Sequence, residues 1–152
     1  VLDERIEAVV VGHTSAFSYR ELAVATQYLR KGDVELVGTN PDAADRLPGS
    51  RWMPGTGALL AAVEAASGKK ACIVGKGGGD FLLEYLSSVV PDAKRTLMVG
   101  DRLDTDVELG LRAGFRTLLV FSGACSEEEV PPTGGPEFVS AVVTDLISPG
   151  SG

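Results

Sequence analysis

Three carboxylates, Asp101, Asp104 and Asp106, crowd the stretch just after an apolar run, Thr96 to Val99. They belong to the segment Arg95 to Gly123, RTLMVGDRLDTDVELGLRAGFRTLLVFSG. Oxygen-rich clusters of this kind suit a hard cation. Magnesium in particular takes carboxylate oxygens and keeps several waters for a substrate phosphate. Asp101 follows the end of a predicted strand, where a carboxylate faces the crevice above a sheet, and no capping role accounts for it. A metal ligand is the reading favoured over a solvated turn residue. Asp104 has two readings: N-cap of the next helix, contributing about 0.5–2 kcal/mol, or a member of the cation site. Asp106, in the first helical turn, either complements the helix dipole or supports a ligand or a metal-bound water from behind.

A cation stands in a second place. Gly75-Lys76 opens the glycine-rich turn GKGGGD between a predicted strand and a predicted helix. Backbone amides and a helix N-terminus favour an anion there, and a lysine adds a point charge to a bound phosphate. A plain surface lysine is the alternative. The spacing is not that of a GxxxxGK[ST] phosphate loop. His13 is the one histidine, and no serine or cysteine has a recognisable triad partner, so Ser–His or Cys–His catalysis finds no support. In the long segment Thr39 to Gly57, Arg46, Arg51 and Trp52 could cover a ligand, although packing serves Trp52 equally well.

The elements that must hold these groups read as α/β. Ile6 to Val11 is a buried-type strand. Tyr19 to Arg30 is a helix whose Ser18 and Glu21 form a capping box and whose Leu22, Ala25, Tyr28 and Leu29 share a face. Glu35 to Gly38 is the next strand. Thr39 to Gly57 reads as a loop, long for a compact domain and so more often functional, with Thr56 capping a helix over Gly57 to Ala66. Ala71 to Val74 is a short strand and Asp80 to Val90 a helix. The central strand–acidic loop–helix–strand unit follows, closing with Thr117 to Phe121. Such units bind ligands at the carboxyl ends of their strands. Ser126 and Glu129 form another capping box, Phe138 to Val143 is a strand or short helix, and a frayed tail begins at Ser148. A composition shift near Ser67 to Lys70 divides the chain into modules 1–70 and 71–152.

Bulk properties narrow the classes. The chain has 152 residues and a net charge of −7, which argues against a nucleic-acid binder, since that needs a basic face. A small phosphate ligand stays open, because a metal ion reverses the local field. No apolar run reaches the ~18 residues of a membrane span. The charged start VLDERIEA lacks a secretory pattern. Cys72 and Cys125 have no metal-like spacing and make no disulfide framework. A reducing, cytoplasmic setting is the expectation.

The order of pieces resembles the haloacid dehalogenase superfamily of phosphatases. Lys76 in its glycine turn followed by TLMVGDRLDTDVELGLRAGFRTLLVFSG is similar to the C-terminal half of that family's core, a Rossmann-like parallel sheet. VVVG, FSYRELAVATQYLR, VGTNPD and MPGTGALLAAVEAASG are similar to the inserted α/β cap of the branch containing 4-nitrophenylphosphatase, phosphoglycolate phosphatase and pyridoxal phosphate phosphatase. The resemblance implies phosphomonoester hydrolysis through an aspartyl-phosphate, with Mg2+ bridging nucleophile and phosphate. It implies Asp101 as Mg2+ ligand, Asp106 as support of the metal site, and Lys76, with Gly75, as the phosphoryl-stabilising turn. It further implies a cap loop over the active site, with Asn40, Asp42, Arg46, Arg51 and Trp52 helping to choose a small phosphorylated substrate, and a homodimer through the cap.

The departures carry as much weight. The family's nucleophile and general acid come from an Asp-x-Asp-Gly motif upstream of the cap, and no such motif exists here. Asp104-Thr105-Asp106 is the one Asp-x-Asp, and it lies inside the metal motif. The Ser/Thr phosphate-binding motif is missing too, and Gly77 stands where the family's turn has proline, removing a fixed φ. The expectation is a fragment of a Mg2+-dependent phosphatase, inactive alone. The alternatives are a catalytically dead module that binds a phosphate ligand or a partner through its cap, and, last, a receiver-like or nucleotide-binding domain, which the missing GxGxxG fingerprint disfavours.

Overall fold

The computed structural model describes residues 2–47, 49 and 51–146. The chain forms two compact units, Val1–Leu82 and Leu83–Gly152. The expected division at 70/71 falls earlier than this one. The segment after Lys70 stays with the first unit because its strand β5 (Cys72–Ile73) pairs in parallel with β2 (Glu35–Gly38), Val37 facing Cys72 and Gly38 facing Ile73.

In the first unit a parallel sheet runs β1-β2-β5, where β1 is Ala8–Val11 and Val9 faces Leu36. The helices α1 (Tyr19–Leu29) and α2 (Thr56–Ser67) pack on each other and on this sheet. The start of α1 is the expected capping box: Glu21 N–H donates to Ser18 Oγ (3.3 Å) and Ser18 N–H to Glu21 Oε2 (2.8 Å). Its apolar stripe places Leu29 in a core with Val11, Val34, Leu36, Leu60 and Val63, and Leu22, Ala25 and Tyr28 pack against that core. Each fully buried Leu there stabilises by about 1.5–3 kcal/mol over an exposed one.

Two local expectations give way. The segment Thr39 to Gly57 is not plain loop. It holds an antiparallel pair, β3 (Ala44–Leu47) and β4 (Arg51–Pro54), in which Arg46 faces Trp52. Its short strands bury neither face, so no hydrophobic alternation marks them in the sequence. Thr56 is not the cap of α2. Gly55 takes that position with no side-chain cap, and Thr56 is the first, buried residue of the helix. The reason lies in backbone stitching: Gly57 N–H donates to the Asp42 carbonyl (2.8 Å) and Gly55 N–H to the Ala43 carbonyl (3.0 Å). A Cβ at either glycine would overlap the carbonyls of Pro41 or Asp42.

The division between units falls inside α3 (Phe81–Val89). The second unit is built on a parallel sheet β6-β7-β8, with β6 Leu97–Gly100, β7 Arg116–Val120 and β8 Phe138–Ser140. From Thr117 to Val120 every residue of β7 is buried. That two-faced burial is why the segment reads as a continuous apolar run. The Ser126–Glu129 capping box forms, opening one short turn over Glu127–Glu129. Phe138 to Val143 resolves into β8 followed by a 3-10 turn, Val143–Leu146. The tail from Ser148 lies outside the described residues. Among the described residues no helix is long and apolar enough to cross a membrane.

Candidate active site

The acidic loop is organised by a reversal of roles between neighbouring carboxylates. β6 ends at Gly100, and the chain passes through Asp101 and Arg102 into a wide π turn, Leu103–Val107, before the short helix α4, Glu108–Arg112. The turn closes with Val107 N–H donating to the Arg102 carbonyl at 3.0 Å. Turns of this kind recur at functional sites because they splay side chains that a regular helix would stack. Here the π turn begins at Leu103 with Arg102 in the capping position, so Asp104 is not the N-cap. Asp104 is exposed and lies 3.5 Å from Arg102 Nε. Asp106, expected in the first helical turn to complement the helix dipole or to support a ligand from behind, is only 4% exposed. Its Oδ2 accepts from the N–H groups of Asp101 and Arg102, both at 3.2 Å. Its side chain lies directly on Gly100, where a Cβ would overlap it.

Asp101 is held from two sides. Its N–H is bound to Asp106, while its Oδ2 accepts from Ala124 N–H (2.8 Å), in the turn after β7. The same turn donates Cys125 N–H to the Asp101 carbonyl (3.1 Å). The other carboxylate oxygen, Oδ1, accepts no hydrogen bond from any described residue. The local field is negative. Burial, reinforced by the charges of Glu129, Asp101 and Asp104, pushes the Cys125 thiol up, so it stays protonated at neutral pH.

Mg2+ fits this donor set in the sparse manner the ion favours. One or two hard carboxylates are enough when waters and a phosphate complete the shell. Asp101 Oδ1 is the oxygen that accepts no hydrogen bond from the described residues, and Asp106 Oδ2 is engaged by the N–H groups of the loop itself. Among the described residues no three His, Cys, Asp or Glu side chains converge into a complete cage.

Lys76 and Gly75 sit in the first unit, in a turn where Gly78 N–H donates to the Gly75 carbonyl (3.2 Å). Gly77, the third residue of that turn, has φ +71. A proline cannot adopt that angle, so the departure from a Gly-Lys-Pro turn changes the turn itself as well as its stiffness. Gly75 lacks room for a Cβ against the Thr39 carbonyl. Lys76 Nζ lies 3.4 Å from Asp42 Oδ2.

The five residues of the expected specificity loop separate by role. Asp42 is buried and faces Lys76. Asn40 Oδ1 accepts from Asp42 N–H at 3.1 Å, shaping the turn that presents it. Arg46 and Trp52 are cross-strand neighbours on the exposed β3–β4 ribbon, Arg51 pairs with Leu47, and Trp52 is 60% exposed. His13 is exposed just beyond β1. The structure thus brings Asp101 together with Asp106 in one unit, and Lys76 with Asp42 in the other. Sequence reasoning missed three participants: Gly100, Ala124 and the Lys76–Asp42 pairing. The glycine before Asp101 and the Gly123-Ala124 pair closing the central unit were the available signals. Nothing local signals the ion pair.

The sequence model described as HAD-hydrolase-like matches residues 56–146. Chronophin of Mus musculus is 43% identical over 145 residues, a match covering 95% of this chain and 48% of chronophin. Glycerol-3-phosphate phosphatase of Gallus gallus is 45% identical over 131 residues, covering 85% of this chain and 42% of the relative. The chain therefore spans less than half the length of these curated relatives. Among solved structures, 4-nitrophenylphosphatase from Thermotoga maritima superposes with a TM-score of 0.77 at 33% identity, covering 96% of this chain and 56% of that one.

Proposed function

The chain belongs to the HAD-hydrolase-like family, and from that premise we propose that it is part of a Mg2+-dependent phosphatase of small phosphomonoesters. The observation that carries this reading is Asp101, at the carboxyl end of β6. One of its carboxylate oxygens is fixed by Ala124 N–H and the other carries no hydrogen bond from the described residues. A carboxylate so held is preorganised for a cation, because its orientation is already set before the ion arrives. The names of the relatives, a glycerol-3-phosphate phosphatase and a 4-nitrophenylphosphatase, support a phosphoric monoester as the substrate class.

In this reading Asp101 holds Mg2+ and Asp106 keeps the loop in shape. When bound, the ion neutralises charge on a phosphoryl oxygen. Lys76 supplies a positive charge to the phosphate from the glycine turn, and Asp42 sets where that charge lies when no phosphate is present. The residues around Arg46, Arg51 and Trp52 select the rest of the substrate from the exposed ribbon. The sequence contains no Asp-x-Asp-Gly, so the 152 residues alone do not form the covalent intermediate. A homodimer through the first unit is part of the same proposal. It is supported by the apolar side chains on β1, where Val10 is 64% exposed, and light scattering checks it.

The test is hydrolysis of 4-nitrophenyl phosphate with and without Mg2+. It compares the chain alone with a version joined at its N-terminus to the Asp-x-Asp-Gly segment of a relative. Turnover that needs both the joined segment and Mg2+ is the expected result. Turnover by the chain alone, or turnover in the joined protein that survives both metal removal and Asp101→Asn, would overturn the proposal.

A further inference from the structure

The turn after β7 touches Asp101 at more points than a passing loop needs. Ala124 N–H donates to Asp101 Oδ2 at 2.8 Å, and Cys125 N–H donates to the Asp101 carbonyl at 3.1 Å. Gly123 leaves no room for a side chain, because a Cβ there would overlap Oδ2 and come within 2.5 Å of Cγ and 2.6 Å of Cβ of Asp101. The backbone at Gly123 is not left-handed, so glycine is not required there for its φ. What glycine supplies at this position is space for the carboxylate.

We infer that Gly123 is a positioning residue for the metal site: its missing side chain lets Ala124 N–H capture Oδ2 of Asp101, which leaves Oδ1 as the oxygen offered to Mg2+. This rests on the proposed metal role of Asp101. A carboxylate with both oxygens free rotates about its terminal bond and offers either one. Pinning Oδ2 removes that freedom and aims Oδ1 at one place. A methyl group at position 123 drives the carboxylate off its donor, so the ion must then reorder it.

Calorimetric titration of Mg2+ into the full 152-residue chain, paired with thermal denaturation without metal, tests this. Gly123→Ala is expected to weaken Mg2+ binding by about tenfold or more, the usual effect of losing an outer-sphere partner, in a protein whose circular dichroism is unchanged. A folded Gly123→Ala chain that binds Mg2+ like the wild type would overturn the inference and leave the Asp101 assignment standing. If Gly123→Ala does not fold, the Asp101→Gly/Gly123→Ala chain decides, since removing the Asp101 side chain removes the overlap. Recovery of folding supports the inference and continued failure overturns it. A wild-type chain that binds no Mg2+ overturns the metal assignment, and this inference with it. In that event the denaturation cycle between positions 101 and 123 still reports whether their contact exists, which separates the two failures.

Discussion

Lys76 Nζ lies 3.4 Å from the Oδ2 of Asp42, a carboxylate that is only 8% exposed. The one cation in the glycine turn is thus matched to an anion from a distant loop, and under the proposed function a phosphate would compete with that anion for it. Removing Asp42's charge in Asp42→Asn is expected to tighten inorganic phosphate binding several-fold, while Lys76→Ala weakens it by at least as much. Phosphate titration followed by isothermal calorimetry measures both. Weaker phosphate binding in Asp42→Asn would show that the carboxylate orients the lysine and does not compete with the ligand.

Asp106 serves the loop through its two backbone donors. Asp106→Ala leaves the N–H groups of Asp101 and Arg102 without that acceptor, which is expected to cost about 1–3 kcal/mol of stability. Urea denaturation reads this directly. Mg2+ affinity should fall in parallel, because Asp101 is displaced from its neighbour. Asp106→Asn, which keeps an oxygen acceptor, should retain more of both.

The glycine turn gives a backbone test. Because Gly77 has φ +71, Gly77→Pro cannot form the present turn and is expected to lower stability by more than about 1 kcal/mol. Gly77→Asn, which tolerates left-handed backbone, should cost less than Gly77→Val. Equal stability for proline and glycine in guanidinium melts would mean the turn re-forms differently.

Glu64 carries a pH dependence of known sign. Near the end of α2 it accepts from Lys70 Nζ (2.8 Å) and Ala71 N–H (2.9 Å), fastening the chain that leads into β5. The hydrogen bond from Lys70, then that from the Ala71 amide, hold its carboxyl below the usual value. A depressed folded-state pKa stabilises at pH above the unfolded value and is lost as pH falls through the folded one. Glu64→Gln should therefore cost about 0.5–1 kcal/mol at pH 7, with the gap to wild type closing in the acid range below the ordinary carboxylate pKa. Melting curves from pH 7 to pH 3 follow it. A gap that widens toward acid would contradict the assignment.

Much of the chain could be read locally. The α/β class, the capping boxes at Ser18–Glu21 and Ser126–Glu129, and β7 as a two-faced buried strand each depend on residues a few positions apart. Such patterns are visible in a string. So was the acidic loop after β6, because its carboxylates follow directly on an apolar run. The β3–β4 ribbon was not legible, since strands buried on neither face leave no periodic trace.

What the sequence determined by itself was which chemical groups are present and which lie next to strand ends: Asp101, Asp106 and Lys76. Their roles were decided in three dimensions. Asp106 turned inward to grip the backbone before it, Asp101 was left with one oxygen free, and Asp104 lost its capping place to a π turn. Lys76 met Asp42 across the loop that β2 and β5 bring together. The physical reason is the same in each case. A side chain's role is set by the donors and charges within about 3–4 Å of it. For Asp101 and Lys76 these include Ala124 and Asp42, which proximity in sequence does not connect to them. Asp106 and Asp104, by contrast, meet groups only two to five residues away, in a turn whose shape the string does not show.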